Sequence, residues 1–472
     1  VAAVVAALFV SACTGGGHQR ALVREPGRPA TTTTTVAALP ATTASGAAPV
    51  ASALGCPTLP ARAQPSPDRP RYVLHVDVRP DAGLVTGDLS VRFTPDLDTD
   101  RLVLRLWPNG PAIAANGGGL DAGPVTVDGA SAPSALDNPT TLVVRRPVRA
   151  GQTVTLALSW QLRLPGAVND RVAHAGDAVR LGSFFPILPW EPGVGWDTEP
   201  PTAQFAEAST APTADFDVTV TTLPGLVTLA SGVPDGPGHW TASSMRDFAL
   251  SVGPFRTVSA VAHAPGPVAV TVGVDAGLAD APESYAAKAV RVLEDFGRRF
   301  GAYPWPAYTL ALTPALRGGI EYPSFVMQGP GTLGRTTSHE IGHQWFYGLV
   351  GDDQGRDPWL DEGLASYAEG RFEGTLESFR TRPIPPGARG QLGRPMTYWE
   401  VNHTLYNVGV YVQGAQALAS LGDPALVDCA LRVYVAREAF KIARVGDLVA
   451  ALGSVFPNAR GVLASFGVQS GQ

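Results

Sequence analysis

The feature that most constrains this chain is His-Glu-Ile-Gly-His at residues 339–343, followed after eighteen intervening residues by Glu362 within Trp-Leu-Asp-Glu-Gly. Residues four apart on a helix point nearly the same way, so the spacing predicts a helix that aims His339 and His343 at one point. Glu362 falls in a second stretch of helical apolar spacing (Leu360, Leu364, Tyr367, Ala368) and brings a carboxylate towards them. Two imidazoles and one carboxylate with a fourth position open is the pattern of a catalytic zinc, whereas a structural zinc is closed by four ligands, usually including cysteine. Glu340 is turned about a quarter of the way round the helix from His339, away from the metal. It is placed to take a proton from a water in the open position. The expectation is one zinc per chain, with His339, His343 and Glu362 as ligands and Glu340 as general base.

With 472 residues, 45% of them hydrophobic, the chain can bury at least two cores of ordinary domain size. A net charge of -6 gives no basic stripe and excludes nucleic acid as a partner. The N-terminus reads as an export signal. Val1–Val10 is an unbroken apolar run, too short to span a bilayer, and it leads into Val10-Ser11-Ala12-Cys13, a lipobox-like sequence. Residues 1–13 are therefore expected to be a signal peptide whose true start lies upstream. Lipid on Cys13 would hold the protein on the extracytoplasmic face of a bacterial cell membrane. Residues 14–68 have no hydrophobic period and are rich in Thr, Pro and Ala, as expected of a disordered linker. Cys56 and Cys429 are the other two cysteines; an exported chain permits a disulfide between them, but sequence does not show whether they meet.

From Arg71 the period is two. Tyr72, Leu74, Val76 and Val78, then Leu89, Val91 and Phe93, then Val154 to Leu162, then Phe216 to Val220, alternate with polar residues. Many short strands separated by turns predict an antiparallel β domain over 69–256. Later the period lengthens: Tyr285, Ala289, Val292, Phe296 and Phe300 recur at helical spacing behind Pro282-Glu283, and Tyr308 to Thr313 reads as a strand. The reading is multidomain α+β, with a mainly helical zinc domain over 257–472.

These residues resemble the gluzincin zinc aminopeptidases, the family of aminopeptidase N and the leukotriene-hydrolysing aminopeptidase, which share the two-His motif, the same gap and the Trp-Leu-Asn/Asp-Glu-Gly context. The resemblance implies an N-terminal β-saddle, including the closing Asp247 to Phe255 segment, followed by a thermolysin-like catalytic domain. It also extends to Gly318-Gly319-Ile320-Glu321-Tyr322, which is similar to the family's Gly-Ala-Met-Glu-Asn substrate strand. There the Glu holds the substrate's α-ammonium by a charge-assisted hydrogen bond, which makes a peptidase an aminopeptidase. Gly318 and Gly319 suit a backbone lying against a ligand. Ile320 and Tyr322 depart from the pattern. By the family's Tyr-x-Lys-Gly-Ala segment, Tyr411 is the donor to the oxyanion, with Gln413 in place of Lys. The resemblance implies a member acting on peptides with a free N-terminus; with the lipobox-like start, a short bacterial lipoprotein is expected, and a monomer. The stretch after about Leu418 is too short for the large C-terminal helical domain of longer members, so a truncated architecture with a more open cleft is expected. Two alternatives remain: a zinc hydrolase of other specificity, such as an endopeptidase or a hydrolase of epoxides, and a non-catalytic scaffold that keeps the fold.

Overall fold

The computed structural model describes residues 55–199, 201–203 and 210–469. The expected signal, Cys13 and the linker up to residue 54 lie outside the described residues. The rest of the linker, 55–68, lies against the helical part of the molecule. Cys56 is disulfide-bonded to Cys429 with a Cα–Cα distance of 5.6 Å, and Ala63 N–H donates to the Ala436 carbonyl at 2.8 Å.

The alternating residues form the strands they predict. In β1 (Arg71–Arg79), Tyr72, Leu74, Val76 and Val78 are buried and their neighbours face outward. It pairs antiparallel with β2 (Leu84–Phe93), which pairs antiparallel with β3 (Val154–Arg163), so that Leu74, Leu89 and Leu158 line up on the buried face. The nine-stranded sheet built on these strands is not purely antiparallel, which corrects the sequence expectation. β1 runs parallel to a later strand, Ala214–Thr221. Period-two alternation is the same in both orientations and does not report strand direction. A smaller four-stranded sheet contains β4 (Ala178–Leu181), buried along its whole length.

Two further strands, β5 (Phe255–His263) and β6 (Pro267–Asp275), precede the first long helix, α1 (Pro282–Phe300), whose predicted apolar face is buried. With β7 (Ala307–Leu312), β8 (Gly319–Tyr322) and β9 (Phe325–Gln328) they form a five-stranded sheet in the order β5-β6-β7-β9-β8. The expected substrate strand β8 is thus an edge strand, hydrogen-bonded to β9 on one side.

Three helices make the centre of the C-terminal part. α2 (Arg335–Gly342) carries the first histidine and ends at the second; α3 (Trp359–Glu373) is buried from Trp359 through Gly370; α4 (Gln413–Ala419) is fully buried. Small residues let their backbones meet. A Cβ on Gly342 would lie 3.3 Å from the Ala365 Cα, and one on Gly414 only 2.5 Å from the Gly363 Cα. α3 is therefore sandwiched between α2 and α4, with Glu362 beside one of the two crossings.

The sheet-rich N-terminal part and the helical C-terminal part share an extensive buried boundary. Arg246, 1% exposed, donates to the carbonyls of Ala211, Gly348 and Lys441, three separate segments. Among the described residues no helix is long and apolar enough to cross a membrane.

Candidate active site

His339, His343 and Glu362 converge. Nε2 of His339 lies 3.1 Å from Nε2 of His343 and 3.0 Å from Oε2 of Glu362, and the His343–Glu362 separation is 3.4 Å. All three side chains are buried. Tetrahedral ligands at zinc-like bond lengths stand about 3.3 Å from one another, so the three atoms are spaced as a zinc ion needs them.

The second nitrogen of each ring faces a carboxylate. Nδ1 of His343 is bonded to Asp361, whose other oxygen accepts from Gln354 Nε2 at 2.7 Å. Nδ1 of His339 is 3.4 Å from Glu369, which also pairs with Arg335. Such partners fix the tautomer, leaving Nε2 as the ligand atom on both rings. The sequence reading missed both carboxylates. Glu369 was within reach of it, since it follows Glu362 by seven residues, two helical turns along the same face.

The electrostatics ask for a cation. Burial disfavours charge on His339, yet hydrogen bonds to Glu362 and Glu369 lift its pKa to about 9. His343 is raised too, against its burial, chiefly by Asp361 and Glu321. Burial would raise the Glu362 carboxyl, but the two imidazoles hold it well below the usual carboxylate range. Buried carboxylates thus pull positive charge onto the imidazoles, and a divalent ion held between Glu362 and neutral rings satisfies the same demand.

Glu340 sits where the helix geometry predicts, off the ligand triangle and buried; its burial pushes its carboxyl up to about 7. Glu321, Glu340 and His343 each bring a ligand-type atom within 4.8 Å of the others. Alternation along β8 explains this. Gly319 and Glu321 share one face, and a Cβ on Gly319 would lie 2.4 Å from the Glu340 Cδ, so glycine is required where the Glu340 carboxylate packs. Ile320 and Tyr322, the two departures from the family pattern, are on the opposite face. Tyr322 belongs to a small core with Leu229, Phe255, Leu316 and Phe325, against which Ile320 packs. Gly318, at φ +83°, takes the backbone into this strand.

Tyr411 completes the cluster. Its hydroxyl donates to Glu362 Oε1 at 2.5 Å and its ring stacks on His339, 5.5 Å between centroids. It lies on a π-helical turn, Asn407–Val412, an element that sequence periodicity does not signal. Gln413 accounts for the missing lysine. Its Oε1 accepts from Gly390 N–H at 2.9 Å while its Nε2 donates to Ala388 and Gly409 carbonyls, and a lysine has no acceptor to offer Gly390.

No family model matches the chain. A stretch of 103 residues is 34% identical to leukotriene A-4 hydrolase of Xenopus laevis, and one of 97 residues is 35% identical to human aminopeptidase B. The match to the frog protein spans 16% of its length and 20% of this chain. Over nearly the whole molecule, the fold is similar to the M1 zinc metallopeptidase of Deinococcus radiodurans, with a TM-score of 0.64, 23% identity and coverage of 86% of this chain and 94% of that one. A point mutant of the Deinococcus enzyme bound to a Tyr-Ser-Ala substrate superposes with a TM-score of 0.62 at 22% identity, over 85% of this chain and 95% of that one. The chain therefore has the fold of the M1 zinc metallopeptidases, and its side chains assemble a two-histidine, one-glutamate set at the place where α2 and α3 meet.

Proposed function

We propose that this protein is a zinc-dependent aminopeptidase that removes N-terminal residues from peptides. The observation that carries the reading is the joint placement of three ligand atoms 3.0–3.4 Å apart with Glu340 and Glu321 beside them. His339, His343 and Glu362 would hold one zinc ion. When bound, zinc supplies Lewis acidity towards the scissile carbonyl and lowers the pKa of its water towards about 7. Glu340 takes a proton from that water as it attacks and passes the proton to the leaving amine. Tyr411 donates a hydrogen bond to the oxygen on which negative charge develops; one preorganised donor of this kind is worth about 3 kcal/mol. Glu321 receives the substrate's α-ammonium, and β8, as the last strand of its sheet, is the strand along which an extended peptide would lie.

The similarity to aminopeptidase B and the peptide bound to the Deinococcus mutant support a peptide substrate. We further propose that lipid on Cys13 and the segment that follows it hold the enzyme, as a monomer, at the outer face of the cell membrane.

The specificity is tested by comparing an aminoacyl anilide with its N-acetylated twin, in the wild type and in Glu321→Ala. The free amine should be strongly preferred, and the variant should lose most of that preference. Equal rates on both substrates in the wild type would rule out amine capture and point to an endopeptidase.

A further inference from the structure

Glu321 sits on an edge strand that the sheet holds from one side only, yet its carboxylate must stand at a defined depth beside Glu340. The turn that leads into this strand is tied to the N-terminal part of the molecule. Arg180 on β4 is 2% exposed. Its guanidinium donates to the carbonyls of Asp170 at 2.8 Å, Pro314 at 2.7 Å and Ala315 at 3.3 Å, to Val168, and to the Thr313 hydroxyl at 3.4 Å. A cation buried among backbone carbonyls, with no hydrogen-bonded carboxylate among the described residues, is costly to desolvate, and an apolar side chain would fill the space at less cost. What the cation gains is geometric: five N–H groups in one plane reach two segments at once.

One of those segments, 168–170, belongs to the sheet-rich part. The other, 313–315, begins the turn that leads into β8. The same two are tied again by Asn169, whose Oδ1 accepts from the Arg317 N–H at 2.6 Å. Within this turn Ala315 has φ +60°, a left-handed conformation that a non-glycine residue keeps only when its surroundings impose it. Just past β4, Gly182 lies against the hydroxyl of Tyr322, which a Cβ there would approach to 1.9 Å. The segment Ala178 to Gly182 and its neighbour Asn169 therefore touch the chain before Glu321 and after it.

We propose that Arg180 and Asn169 are positioning residues that set the depth of Glu321 beside the metal site, and that through it they determine selectivity for substrates with a free amine. The selectivity half of this rests on the reading of Glu321 given above; the clamp itself does not.

The test uses the full protein. Asn169 is exposed, so Asn169→Ala leaves the core intact; Arg180→Lys keeps the charge and loses the planar fork. Each variant is assayed for the kcat/KM ratio of an aminoacyl anilide over its N-acetylated twin, for bound zinc, and for amide hydrogen exchange over residues 316–322. Zinc content should stay at the wild-type level and exchange over 316–322 should quicken. The ratio should fall roughly ten- to hundredfold, mainly through KM for the free amine. Wild-type exchange and a wild-type ratio in both variants, alongside a collapsed ratio in Glu321→Ala, would overturn the proposal. Should Glu321→Ala leave the ratio unchanged, amine capture fails. Quickened exchange in the two variants then still upholds the clamp, and wild-type exchange overturns it.

Discussion

Asp361 and Glu369 show how much of this site lies behind the ligands. Each carboxylate fixes one imidazole through Nδ1, and each is itself held, by Gln354 and Arg335 respectively. Asp361→Asn keeps the shape of the side chain and removes the charge that favours the Nδ1–H tautomer of His343. Zinc affinity should fall about ten- to hundredfold, measured by competition with a chelator of known affinity. An unchanged affinity would mean that Asp361 only fills space. The ligands and Glu340 were legible in the sequence because a helix converts a spacing of four residues into a shared direction. Of their partners, Glu369 was legible as the residue two turns after Glu362 on the same face, whereas Asp361 was not, because a side chain held by a carboxylate on another helix leaves no period in its own sequence. The two departures at Ile320 and Tyr322 became interpretable only with the strand in view. Alternation turns both away from Glu340 into a separate small core.

At the level of elements, the site depends on how closely three helices approach. Gly363 and Gly414 meet backbone to backbone, one residue from Glu362 and three from Tyr411. Gly414→Ala places a methyl group 2.5 Å from the Gly363 Cα, where only backbone movement relieves the clash. We expect a loss of about 1–3 kcal/mol in unfolding free energy from denaturant titration, together with reduced turnover. A variant as stable and active as the wild type would show that the crossing has slack. The sequence predicted α1 and the helix of Glu362 because their apolar residues recur at three-to-four spacing, and the zinc helix because its two histidines stand four apart. It did not predict the π-helical turn under Tyr411, the parallel pairing of β1, or β5 and β6 as strands. The first two depend on hydrogen bonding that hydrophobic pattern does not encode. β6 is legible in the alternation of Val268, Val270, Val272 and Val274, and β5 is its hairpin partner.

Across the whole molecule, the described chain ahead of β1 is fastened to the C-terminal part as well as to the sheet it enters, where Arg69 pairs with Asp215 at 2.8 Å. The Cys56–Cys429 bridge joins positions 373 residues apart, and Arg62 and Ala63 add bonds to Ala302 and Ala436. With Arg246 stitching the boundary elsewhere, the sheet-rich and helical parts are joined at several separate places. Cys429→Ser should lower unfolding free energy by about 2–4 kcal/mol and open residues 55–69 to proteolysis, read by thermal melts and peptide mapping. A variant with wild-type melting and cleavage would show that the bridge is dispensable. Two cysteines so distant in sequence could not be paired by reading, since nothing local brings residue 56 to the helix of residue 429.

All of this converges on one claim, that the three ligand atoms hold a zinc ion beside which Glu340 moves a proton. Zinc content and peptide hydrolysis measured on the same preparation of Glu340→Gln test it most directly. The account predicts one zinc per chain, as in the wild type, with turnover reduced about 10²- to 10⁴-fold. Zinc retained with turnover near the wild-type rate, or a wild type that is active without bound metal, would contradict it.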